Sequence, residues 1–209
     1  MNVIHKIRVD EVDGTFWRFL PMSEKNIECL IVRDCDSRIL CREVNAVNSW
    51  IKSNKCFHIM RDNPGHVILI PAGMFGIKCN TISNIEELID KWKQERKRKK
   101  LGWADQYGLD QLFLSQEIYP KIKNNVLIHT DLVKFWTETI TPFPSKRKKN
   151  EFVGEVISEE NSLLDNSSVS LNNLKIKNYP HPIFYYNDTF IYLSGFIKKL
   201  RCFFKGLII

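Results

Sequence analysis

The apolar run Cys29-Leu30-Ile31-Val32, followed by Arg33-Asp34-Cys35-Asp36-Ser37-Arg38, constrains this chain more than any other stretch. An apolar segment that stops abruptly at two aspartates one residue apart reads as a strand over 27–33, buried on both faces and central in its sheet. In open α/β sheets, ligands gather just beyond the carboxyl ends of such strands. Two carboxylates there can share a hard divalent cation, Mn²⁺ or Mg²⁺, which keeps positions open for the phosphates of a nucleotide. The same pattern also reads as a polar turn in which Asp34 or Asp36 caps the next helix.

The surroundings alternate strand and helix. Leu40, Val44, Val47, Trp50 and Ile51 recur at helical spacing and predict a helix over 39–53. Phe57 to Met60 and Val67 to Ile70 read as strands, the second running into the small residues Pro71-Ala72-Gly73-Met74-Phe75-Gly76, where a backbone can approach a ligand closely. Ser83 and Glu86 form a capping box ahead of a helix carrying Ile85, Leu88, Ile89 and Trp92, which frays near Lys100. A further helix starts at Asp110, carries Leu112, Phe113 and Ile118 and ends before Pro120; Asn125 to His129 reads as a last buried strand. The expectation is an α/β fold, a mixed sheet flanked by helices. Residues 1–157 form its domain, 158–178 a Ser- and Asn-rich flexible linker, and 179–209 a tail.

Six cysteines form no Cys-x-x-Cys pair and no zinc-like spacing with histidine, which suits reduced thiols and a cytoplasmic setting. The N-terminus has no apolar signal region, and no apolar stretch is long enough to span a membrane. The net charge of +7 is concentrated in KQERKRKK, KRKK and the C-terminal tail. Nothing resembles a helix-turn-helix, RNA-recognition or KH signature, so nucleic acid is the weaker explanation of that charge. In the tail, residues 188–209 combine Phe, Ile and Leu with Lys198, Lys199, Arg201 and Lys205. That reads either as a basic amphipathic helix lying on an anionic membrane surface or as a terminal helix packed on the domain.

From Thr15 to Glu155 the chain carries TFWRFLP, VRDCDSRI, REVNAVNSWI, FHIMRDNPGH, IPAGMFGIK, DQLFL with EIYP, LIHTD, and FPSKR with EFVGE. In order and spacing these blocks resemble a bacterial glycosyltransferase family of the GT-A type, associated with surface polysaccharide. The resemblance implies a Rossmann-like sheet and transfer of a sugar from a nucleotide-sugar donor to a glycan or lipid-linked acceptor. It implies that Asp34 and Asp36 bind Mn²⁺ or Mg²⁺ and the donor diphosphate, with His129 as a further metal ligand, although a lone histidine at a strand end also reads as a structural residue. Arg33 and Arg38 flank the turn and suit phosphate contacts, or surface ion pairs. Asp110 matches an acid that faces the acceptor hydroxyl, a general base by position, although it also reads as a simple N-cap.

His58, Arg61, Asp62 and His66 suit a sugar pocket or a hydrogen-bonded loop, and Gly73 and Gly76 suit backbone contact with the acceptor. Trp17 and Trp103 suit stacking on a sugar or base, or burial. The chain departs from the pattern in placing little ahead of Asp34, so most of a nucleoside-binding half is expected to be missing. A partner chain would then supply that layer, with the enzyme peripheral on the inner face of the cytoplasmic membrane. The competing expectation is a truncated, non-catalytic subunit or remnant that binds or scaffolds.

Overall fold

The computed structural model describes residues 14–78, 80–99, 108–135, 138–148, 151–156, 171 and 174–179. The expectations for Trp103, for most of 158–178 and for the tail beyond Tyr179 fall outside these residues. Within them the fold is mixed α/β, and no helix is long and apolar enough to cross a membrane.

A 3-10 helix, Trp17–Ser23, leads into β1 (Cys29–Arg33), α1 (Cys41–Lys52), β2 (Phe57–Arg61) and β3 (Met74–Lys78). Helix α2 (Ile85–Arg98) follows, then α3 (Leu109–Phe113), a π-helical turn over 114–118, α4 (Tyr119–Ile122), β4 (Val126–Thr130) and β5 (Val133–Phe135). β6 (Lys177–Tyr179) pairs in parallel with β5, so the end of the expected linker is a strand.

The main sheet has the order β1-β3-β2-β4. β3 runs antiparallel to β1 and β2, and β4 runs parallel to β2. Side chains alternate between two cores, as the pleat requires. Val32, Phe57, Ile59, Phe75, Ile77 and Ile128 face a core shared with the 3-10 helix, α2 and α3. Met60 and Met74 face the other side, where α1 brings Ala46, Val47 and Trp50.

β1 lies at an edge of the described sheet, not at its centre, and of its five residues only Val32 is buried while Ile31 is 41% exposed. The strand beside it is β3, which the glycine and proline around it disguise. Val67 to Ile70 are buried as expected but form no ladder. Leu69 gives its carbonyl to the Arg61 guanidinium (2.8 Å), and a turn closes from the Met74 N–H to the Pro71 carbonyl. A side chain and a turn thus satisfy backbone groups that a sheet partner would otherwise take.

Two helix boundaries also differ from expectation. Asn84 takes the N-cap position of α2 in the left-handed conformation (φ 59°) without a side-chain cap bond. The Ser23 hydroxyl, from the 3-10 helix, accepts the Ile85 N–H instead (2.8 Å), so the cap comes from a distant segment rather than from Ser83. Pro120 does not stop the helical path at Ile118. It sits in the first turn of α4, and the path widens into the π turn just ahead of it. Proline has no N–H for the carbonyl one turn back, and widening the turn accommodates that loss.

Candidate functional site: the carboxyl edge of the sheet

β1, β2 and β4 point the same way, and the residue after each is an aspartate: Asp34, Asp62 and Asp131. Gly73, immediately before the opposed strand β3, lies at the same edge. The first turn of α1 serves both halves of this edge. Arg42 turns to β2 and β4, and Glu43 turns to β1, where its carboxylate sits 2.7 Å from Arg33 Nε.

On the β1 half, Asp34 Oδ1 accepts a hydrogen bond from Arg18 Nη1 at 2.6 Å and remains half exposed. A Cβ placed on Gly73 would stand 2.0 Å from Asp34 Oδ2, so the carboxylate rests against bare backbone. Asp110, buried at the start of α3, is the second carboxylate here. Burial pushes its pKa above the ordinary range; Arg18 opposes that shift and the charge of Asp34 adds to it. Asp110 Oδ1 also accepts the Gln111 N–H at 2.8 Å. Arg18, Asp34 and Asp110, far apart in sequence, therefore meet at one end of the sheet, with half-exposed Trp17 beside Arg18 in the 3-10 helix.

Asp36 is exposed on the turn after Asp34. A cation held by one or two carboxylates and otherwise by phosphates and water suits Asp34 and Asp36 as donors. His129 does not join them: among the described residues, no three His, Cys, Asp or Glu side chains are grouped to hold a metal ion. It lies instead in the α1-facing core, its Nδ1 2.7 Å from His58 Nε2, while His58 stacks under Trp50 at 5.3 Å. Burial lowers the His58 pKa to about 3, with His129 adding to the effect. Burial likewise lowers His129 to about 4, opposed by Asp131. Both rings are neutral at pH 7, sharing one proton along the bond between them.

The other residues expected at the site are mostly interior. Arg33 forms an ion pair with Glu43 and donates to the Gly73 and Arg38 carbonyls. Arg38 is exposed and pairs with Glu155 at 3.3 Å. Arg61 is fully buried in a fork with both Glu138 oxygens (2.7 and 2.6 Å), and the Tyr119 hydroxyl also donates to Glu138. His66 Nδ1 accepts the Asp62 and Asn63 N–H groups, so it closes a loop. Gly76 faces no opening; Trp50 fills that space, its ring 2.6 Å from where a Cβ would be.

On the β2–β4 half, Asp62 is fully buried. Its carboxylate accepts Arg42 Nε (2.9 Å) and Nη2 (3.1 Å), Arg147 Nη2 (2.6 Å) and the Val153 N–H (3.1 Å). Arg42 Nη2 also pairs with Asp131, whose other oxygen takes the Phe143 N–H. Sequence reasoning missed Arg18, Arg42, Arg147 and Glu138. Arg42 alone carried a signal, because a cation in the first turn of a helix opposes the dipole and calls for a specific partner.

No protein-family model, curated protein or solved structure matches this chain.

Proposed function

We propose that the chain is a metal-dependent glycosyltransferase, moving a sugar from a nucleoside-diphosphate donor to a glycan or lipid-linked acceptor in surface polysaccharide synthesis. The meeting of Asp34 and Asp110 around Arg18 at the carboxyl edge of the sheet carries the reading. Asp34 and Asp36 are the residues that would hold Mn²⁺ or Mg²⁺. When bound, the cation supplies Lewis-acid neutralisation of the departing diphosphate.

In this reading Asp110 is the base. The acceptor hydroxyl gives its proton to Asp110, its oxygen bonds to the anomeric carbon, and the sugar–diphosphate bond breaks with its electron pair leaving on the diphosphate. A carboxylate whose pKa is raised by burial holds that proton better than an exposed one. Arg18 orients Asp34 and offsets negative charge where the two carboxylates approach. Cytoplasmic placement, with the tail on the inner face of the membrane, belongs to the same proposal.

Thermal stability with and without Mn²⁺ and UDP, GDP, CDP or ADP tests it. Ligand at about 100 times its Kd adds roughly 2.7 kcal/mol, a readily visible shift. A metal-dependent shift with one nucleotide supports the reading, and none with any of the four overturns it. A non-catalytic binding subunit is the second reading, favoured by the lack of a third protein ligand beside Asp34 and Asp36 among the described residues.

A further inference from the structure

Above the Asp62 cluster opens a cleft of about 510 Å³ lined by Arg42, Asp131, Pro144, Ser145, Lys146 and Arg147, among others. We propose that it is an oxyanion site that takes the carboxylate or phosphate of a charged sugar. That the oxyanion is borne by a sugar rests on the transferase reading; that the cleft takes an oxyanion does not.

Three cations and one carboxylate line the cleft, and the carboxylate is already bonded to Arg42 and to the Phe143 N–H. The guanidiniums are held rigid. Arg42 is 6% exposed and lies 4.1 Å over the Phe143 ring, and the Arg147 side chain is 4% exposed. Arg147 gives Nη1 to the Asp62 and Glu151 carbonyls and Nη2 to Asp62 Oδ1. A guanidinium has five N–H groups. Its Nε–H and second Nη2–H are therefore left without a partner among the described residues.

Two neighbours add unused donors. The Ser145 hydroxyl is buried and has no hydrogen-bond partner among the described residues. Lys146 is exposed and makes no ion pair among the described residues. Fixed, partly unspent guanidinium donors beside a free ammonium and a hydroxyl form a charge-assisted cradle for a planar or tetrahedral oxyanion. Asp62, sealed beneath, balances the arginines so that they fold without a ligand. The cleft is also of the size that takes small molecules.

Calorimetric titration of the full chain with glucuronate, glucose 6-phosphate and glucose, without metal or nucleotide, tests the site. Glucuronate or glucose 6-phosphate should bind at least tenfold more tightly than glucose, and whichever wins names the oxyanion. Lys146→Glu should weaken that binding at least tenfold, and Lys121→Glu, an exposed lysine elsewhere, should leave it unchanged. Equal affinity for glucose, no binding of either charged sugar, or indifference to Lys146→Glu overturns the proposal. Because no nucleotide is present, failure here leaves the Asp34–Asp110 reading untouched, and failure of nucleotides to stabilise the protein leaves this site untouched.

Discussion

The Asp34 carboxylate lies against the Cα of Gly73, so close that a Cβ there would stand 2.0 Å from Oδ2. Asp34 is short and half exposed, so Gly73→Ala would push the carboxylate aside toward solvent at small cost to folding. The loss would fall on the contact with Arg18. The expected outcome is a near-native melting temperature with the metal- and nucleotide-dependent shift abolished. A normal shift in this variant would separate Asp34 from donor binding.

Gly76→Ala provides the contrast. The obstructing group is the Trp50 ring, fully buried and stacked on His58. Overpacking of this kind costs about 1–3 kcal/mol. Denaturant unfolding should show that loss, whereas Gly73→Ala should show far less.

Asp110→Asn keeps the shape of the side chain and removes the proposed base. General-base loss is worth about 10²- to 10⁴-fold in rate. Nucleotide binding should persist, because the substitution leaves Asp34 and Asp36 in place. Turnover at the wild-type rate would remove Asp110 from the chemistry.

The arginines around Asp62 predict a sharp stability effect. Asp62→Ala removes the buried carboxylate that Arg147 and Arg42 share, leaving Arg42 only Asp131 as an ion-pair partner, and breaking a buried pair costs about 3–5 kcal/mol. Disrupting the exposed Arg38–Glu155 pair should cost no more than about 1 kcal/mol. Equal losses for Asp62→Ala and Glu155→Ala would contradict the described burial.

Acid should weaken the fold early. His58 is lowered by burial to about 3, and His66 and His129 to about 4, against an ordinary histidine value of 6.5 in the unfolded chain. Between those limits the unfolded state binds more protons, so stability is whole above pH 6.5 and falls as pH drops toward 4. Each histidine contributes on the order of 3 kcal/mol across that window. Melting temperatures from pH 8 to pH 4 check it, and His129→Gln should flatten the fall.

The sequence made the elements legible and much of their charge placement illegible. α1 is where expected, and Leu40, Val47 and Trp50 are buried, yet Val44 and Ile51 of the same apolar stripe are about half exposed. Arg42 and Glu43 take the buried positions instead. Hydrophobic periodicity reads only apolar burial, and cannot see an ion pair whose partners come from β1, β2 and β4. FHIMRDNPGH left two readings open for a related reason. Its ionisable groups signal a polar site equally well whether they face water or, as here, partners from elsewhere in the chain: His129 for His58, Glu138 for Arg61, Arg42 and Arg147 for Asp62. β3 was hidden because a strand holding Gly76 against Trp50 has the composition of a loop. The alternation of strand and helix remained visible because β1, β2 and β4 are short and rich in apolar residues.

Adjacent residues Arg42 and Glu43 tie α1 to opposite halves of the sheet edge. Since neighbours on a helix are about 100° apart, neither tie can be tightened by turning the helix without slackening the other. For anyone redesigning this protein, positions 42 and 43 are one unit. Swapping the charge at 42 alone sets a like charge against Asp62 and Asp131, and swapping it at 43 alone does the same to Arg33, so an exchange of both has to be matched at Arg33, Asp62, Asp131 and Arg147.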